Sequence, residues 1–131
     1  MNKTLVVSKK APQAIGPYSQ AVIIGEHVYL SGMLPIDPKN GELVEKEISS
    51  QTRQVLNNIN NLLKDCSSSL ENVIKTTIFL SDLNHFQTVN EIYGEYFGEV
   101  LPARSCIEVS RIPKDALIEI EVIAITKSNN K

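Results

Sequence analysis

The chain has no tryptophan, only two cysteines and two histidines, and aromatic residues fill just 5% of its 131 positions. Each shortage excludes something. With so few rings the core must come from Val, Ile and Leu. No basic stripe interleaved with stacking aromatics, of the kind that binds single-stranded nucleic acid, runs through the sequence. There is no excess of positive charge either: the formal net charge is −2, which leaves no electrostatic footprint for a phosphate backbone. Lys3, Lys9 and Lys10 form only a short, solvated run. His27 and His85 sit in different segments with no metal-type spacing, so no metal is expected. Nothing resembles a phosphate-cradling glycine loop, and no cofactor is expected. No stretch approaches the ~20 apolar residues of a membrane span, and Leu5–Val7 is too short for a signal-peptide core. Cys66 and Cys106 belong to no C-x-x-C pair. Free thiols and the missing leader make a cytoplasmic protein the expectation.

What is present organises one domain over residues 1–131, on the usual size range. Thr4–Val7 reads as an edge strand. Ala11–Tyr18 reads as loop, punctuated by Pro12 and Gly16-Pro17. Ala21–Ile24 and His27–Ser31 flank Gly25-Glu26 as a hairpin, and Gly32 suits a close backbone approach. Pro35–Gly41 is rich in turn formers. Ile48, Thr52, Val55, Ile59, Leu62 and Leu63 then share one helical stripe. Val73–Leu80 is β-rich and apolar on both faces towards its end, as a central strand is. Asp82 and Asn84 are candidate N-caps for a second helix. Its stripe is Phe86, Val89, Tyr93 and Tyr96/Phe97, and Gly98 is placed to end it. Asn90 lies beside that stripe, where a buried amide needs a partner. Leu117–Ile125 is the last strand, followed by a polar tail over Lys127–Lys131. The order ββ-α-β-α-ββ predicts an α+β fold: a mixed sheet with two helices packed on one face. A sheet apolar on both faces also needs something on its second face, and a partner subunit would serve.

Two strands carry the chemistry. In Arg104–Ser110, alternation sends Arg104, Cys106, Glu108 and Ser110 one way and Ser105, Ile107 and Val109 the other. The Arg104 guanidinium is a planar fork that fits a carboxylate, and equally fits an ordinary surface ion pair. Cys106 lacks an evident base, so it fits packing or lining better than nucleophilic attack. In Leu117–Ile125, Glu119 and Glu121 share a face, and mid-strand carboxylates need solvent or a partner. The Tyr18 hydroxyl is free to meet a ligand or to bond its own loop. A regular hairpin about Pro113–Lys114 would set Arg104 opposite Ile123. Glu119 would then lie four residues away, roughly 13 Å at ~3.3 Å per residue.

Three segments, in order, carry a resemblance: Ala14-Ile-Gly-Pro-Tyr-Ser-Gln-Ala, Pro102-Ala-Arg-Ser-Cys-Ile-Glu-Val, and Arg111-Ile-Pro-Lys-Asp-Ala-Leu-Ile-Glu-Ile-Glu-Val-Ile-Ala. Together they resemble the Rid (YjgF-like) family of enamine/imine deaminases over about Ala11 to Ile125. The resemblance implies the chorismate-mutase-like fold, assembled as a homotrimer with sheets inside and helices outside. It also implies deamination of 2-iminobutanoate, 2-iminopropanoate and their enamine tautomers, released by pyridoxal-phosphate dehydratases, to 2-oxo acids and ammonia. By the same resemblance Arg104 grips the substrate carboxylate, and Glu119 positions water and moves protons. Tyr18, Ser31, Gly32, Asn90 and Cys106 line a cleft between subunits. Met33 departs from the glutamine common after Ser-Gly in the family and loses any polar contact from that side chain. Two other functions stay open: a 2-oxo acid sensor that binds without turnover, and a ribonuclease or translation inhibitor. Net acidity argues against nucleic acid as the main substrate.

Overall fold

The computed structural model describes residues 2–127. The tail beyond Lys127 lies outside them.

Six strands form one sheet: β1 (Lys3–Val6), β2 (Ala21–Ile24), β3 (His27–Leu30), β6 (Val73–Leu80), β7 (Ala103–Glu108) and β8 (Ile118–Ile125). Two-residue strands β4 (Ile36–Asp37) and β5 (Glu42–Leu43) pair separately, where the sequence showed only turn formers. The main sheet runs β1-β2-β3-β8-β6-β7. Gly25 makes the β2–β3 turn in the left-handed region, at φ 59°.

Helices α1 (Ile48–Asp65) and α2 (Phe86–Phe97) cover one face. The α1 stripe buries Val55, Leu56, Ile59, Leu62 and Leu63 completely, each contributing about 1.5–3 kcal/mol. Ile59→Ala would cost about 2–5 kcal/mol through lost burial and the cavity left behind. Glu47 caps α1 with both carboxylate oxygens, on the Ser49 and Ser50 N–H groups. Asp82 does cap, but on Asn84 N–H in a short 3-10 turn; α2 itself starts at Phe86 without a side-chain cap. Opposite the helices, β8 contributes Ile118, Ile120, Val122 and Ala124, all essentially buried.

The expected β7–β8 hairpin does not form. β7 pairs in parallel with β6, with Thr76 opposite Arg104, and β8 pairs antiparallel with the other edge of β6, with Thr76 opposite Val122. The physical reason is the crossover: α2 carries the chain back over the sheet, and a parallel pair needs such a connection. The Pro113–Lys114 turn therefore spans a strand instead of closing a hairpin, and Lys114 and Asp115 both take left-handed φ values, 60° and 57°.

Among the described residues no layer covers the second sheet face. Tyr29 and Ile107 point there at 44% and 46% exposure, beside half-buried Phe79 and Ile123.

Candidate functional site

The new strand order separates Arg104 from Glu119 in two ways. Arg104 is level with Val122 across β6, so Glu119 lies three residues along and two strands over, ~14 Å between backbones from standard sheet spacings. The faces also differ. Arg104 points to the helix side with Thr76, whereas Glu119 points to the uncovered side with Phe79. Each residue has its own cleft.

The Arg104 cleft, about 450 Å³, lies between α2 and the β7 edge and includes Asn90, Tyr93, Gly94 and Leu101. Arg104 Nη1 donates to Asn90 Oδ1 at 2.7 Å. Its guanidinium carbon stands 4.9 Å from the Tyr93 ring centroid and 5.5 Å from that of Phe86. Both distances fall within cation–π range. Tyr93 is held from below by a buried hydroxyl–hydroxyl bond with Thr76, 2.8 Å. Phe86, Asn90 and Tyr93 recur at i, i+4 and i+7, so one helix face supplies both rings and the amide. Among the described residues Arg104 meets no carboxylate, and most of its fork is open.

The Glu119 cleft, about 550 Å³, is walled by Tyr18 and its loop, Ser31, Gly32, Met33 and the Pro113–Lys114 turn. Gly32 is there for space: a Cβ would overlap the Glu119 carboxylate. Met33 locks the same segment to β8, donating to Ile120 C=O at 2.7 Å and accepting its N–H at 3.2 Å. The Ser31 hydroxyl donates to Ser19 C=O at 2.6 Å, leaving its lone pairs to accept. Tyr18 does both things open to it: its hydroxyl accepts the Ile15 N–H at 3.3 Å, and the half-exposed side chain lines the cleft. Glu119 itself has no hydrogen-bond partner among the described residues. Burial first, and then the Glu121 charge, push its carboxyl above the ordinary 4.5.

Thus Tyr18, Ser31 and Gly32 gather round Glu119, and Asn90 round Arg104. Cys106 lines neither cleft; it packs against the core. Burial pushes its thiol pKa up, against the opposing pull of Arg104, so thiolate chemistry is disfavoured. Phe86 and Tyr93 were read from sequence as core; their spacing around Asn90 was the available signal for an arginine platform. Among the described residues no His/Cys/Asp/Glu group of three or more could hold a metal, and no helix is long and apolar enough to cross a membrane.

A profile described as Endoribonuclease L-PSP matches residues 8–126. The chain belongs to this family, the YjgF/RutC/Rid family. A RutC family protein of Pyrococcus horikoshii is 53% identical over 93% of this chain and 97% of its own. The 2-iminobutanoate/2-iminopropanoate deaminase of Salmonella typhimurium is 45% identical over 97% of this chain and 100% of its own. The crystal structure of the Rid family protein YyfA of Yersinia pestis superposes with a TM-score of 0.93, at 49% identity over 95% and 100% of the two chains. The α+β mixed sheet with two helices is therefore the fold of its family.

Proposed function

We propose that this protein hydrolyses 2-imino acids, of the 2-iminobutanoate and 2-iminopropanoate class, to 2-oxo acids and ammonia. In this proposal each site is completed by two copies of the chain. The observation that carries it is the split itself: an anion-binding fork on one face and an under-solvated carboxylate on the other, each in an open cleft. Neither half suffices alone. The fork would bind a carboxylate without chemistry, and the carboxylate would have no anchor for an anionic substrate. The uncovered sheet face, with Tyr29, Ile107 and Phe79 on it, is the surface a second copy would cover, and a homotrimer is the assembly proposed.

In such a site Arg104, aimed by Asn90 and its two rings, holds the substrate carboxylate with two parallel hydrogen bonds. The imine carbon is already electrophilic, so the reaction needs an oriented water and controlled protons. Glu119 takes a proton as water oxygen bonds to C2 and returns it to nitrogen, giving a carbinolamine. It then takes the carbinolamine hydroxyl proton as the C=O forms and passes it to nitrogen as the C–N bond breaks, so ammonia leaves with the 2-oxo acid. A carboxyl held above its ordinary pKa accepts and releases that proton near neutrality more readily than a solvated one. Ser31 and Tyr18 wall the cleft around the reacting atoms.

The test generates 2-iminobutanoate in situ with threonine dehydratase and follows 2-oxobutanoate formation. Acceleration in proportion to added protein supports the proposal. Binding of 2-oxobutanoate without acceleration would leave a sensor.

A further inference from the structure

One buried side chain in the wall of the Glu119 cleft has no part in the proposed chemistry. Gln20 precedes β2 and is 7% exposed. Its Oε1 accepts the Ser8 backbone N–H at 2.6 Å. Its Nε2 donates to Ser8 C=O at 3.0 Å and to Pro12 C=O at 2.7 Å, with a longer approach to Ala11 C=O at 3.4 Å. Its own backbone C=O accepts the Ser31 N–H at 3.0 Å. One residue therefore ties the segment before β2 to the end of β3.

That segment needs a tie. It carries Pro12 and Pro17 and forms no ladder, and its tip contacts, Tyr18 N–H to Gly16 C=O and Ile15 N–H to Tyr18 Oη, are internal. Gln13 Nε2 reaches only back to Ser8 and Ala11 C=O. Two other side-chain hydrogen bonds attach it to the body, Ser31 Oγ to Ser19 C=O at 2.6 Å at its end and a long one, Asn61 Nδ2 to Lys10 C=O at 3.4 Å. Buried Ala11 adds packing. A buried amide with both ends satisfied is costly to replace, because its partners lose their bonds away from water. The loop it holds supplies Pro12, Gln13, Ile15 and Tyr18 to the cleft wall.

We infer that Gln20 is a positioning residue that holds Tyr18 and Ser31 in one frame against Glu119. The catalytic part of this inference rests on the proposed hydrolysis; the structural part does not. Gln20→Met, nearly isosteric and suited to burial, removes both ends of the tie. Well below its unfolding temperature, the variant should lose about tenfold in kcat/KM, mainly through KM, because Glu119 stays fixed on β8. Hydrogen exchange should quicken about tenfold at the Lys10 amide, which donates to the Ser8 hydroxyl at 3.1 Å, and at the Ser31 amide, with α1 amides unchanged. If Gln20→Met does not fold, Gln20→Asn, one methylene too short to span both contacts, carries the same expectations. Unchanged exchange in a folded variant overturns the inference whatever the activity. Quickened exchange with unchanged KM overturns its catalytic part. If the wild-type protein hydrolyses no imine, the functional proposal fails, and exchange alone decides whether Gln20 holds the loop.

Discussion

The Arg104 and Glu119 clefts treat charge in opposite ways. Arg104 sits exposed on an edge strand, yet its guanidinium is aimed by an amide and two aromatic rings. Glu119 sits half-buried on an inner strand with glycine against its carboxylate and, among the described residues, no side-chain hydrogen bond to orient it. An arginine stays charged in any setting, so a binding role asks only for direction. A carboxylate that must exchange protons gains from poor solvation, which brings its two forms closer in energy. The difference between the halves is the difference between gripping and reacting.

Substitutions at four positions break or sharpen that contrast. The largest effect belongs to Arg104→Ala, which should lower imine hydrolysis at least about a hundredfold by removing charge-assisted bonds. Binding of 2-oxobutanoate, by titration calorimetry, should fail with it, and Arg104→Lys should rescue little.

Glu119→Gln should lower turnover by about tenfold to a hundredfold while leaving 2-oxobutanoate affinity within about threefold. It carries a stability signature as well. The folded carboxyl lies above its ordinary 4.5, so the wild type has no penalty below that pH and acquires one as pH rises through the folded value. Removing the charge should make Glu119→Gln the more stable protein at pH 7 and its equal at pH 3, by urea midpoints. A variant less stable at pH 7 would contradict the assigned cause.

Gly32→Ala comes next. Its Cβ would push the Glu119 carboxylate aside, and kcat should fall about tenfold, since a small misplacement of a reacting group is costly. Smallest is Cys106→Ser: with the thiol outside both clefts and held protonated by burial, kcat/KM should stay within about threefold.

Much of this was legible in the sequence because it is local. The α1 stripe, the Gly25 hairpin and the β6 run follow from periodicity and turn residues, and each forms as expected. The failure was one of pairing. Pro113–Lys114 carries a hairpin's local signature, but strand neighbours depend on α2 returning the chain, which no local pattern records. That error set Arg104 and Glu119 on neighbouring strands, when β6 lies between them and they face opposite ways. Asn90, a polar group beside an apolar stripe, carries its signal in the sequence, and the partner it needs is Arg104. Gly32 looked like a backbone need; the structure gives a side-chain reason, the Glu119 carboxylate. The tie made by Gln20 has no local signature, because its partners lie eight and twelve residues back in a loop without periodicity.

Subunit complementation tests the two-copy site most directly. Arg104→Ala keeps Glu119, and Glu119→Gln keeps Arg104. Co-expressed with different tags and purified through both, the mixed oligomers should recover activity well above either parent. About a third of wild-type activity is the expectation for mixed trimers, since one site of the three in each has both intact residues. Mixed oligomers no more active than their parents would contradict a site shared between copies.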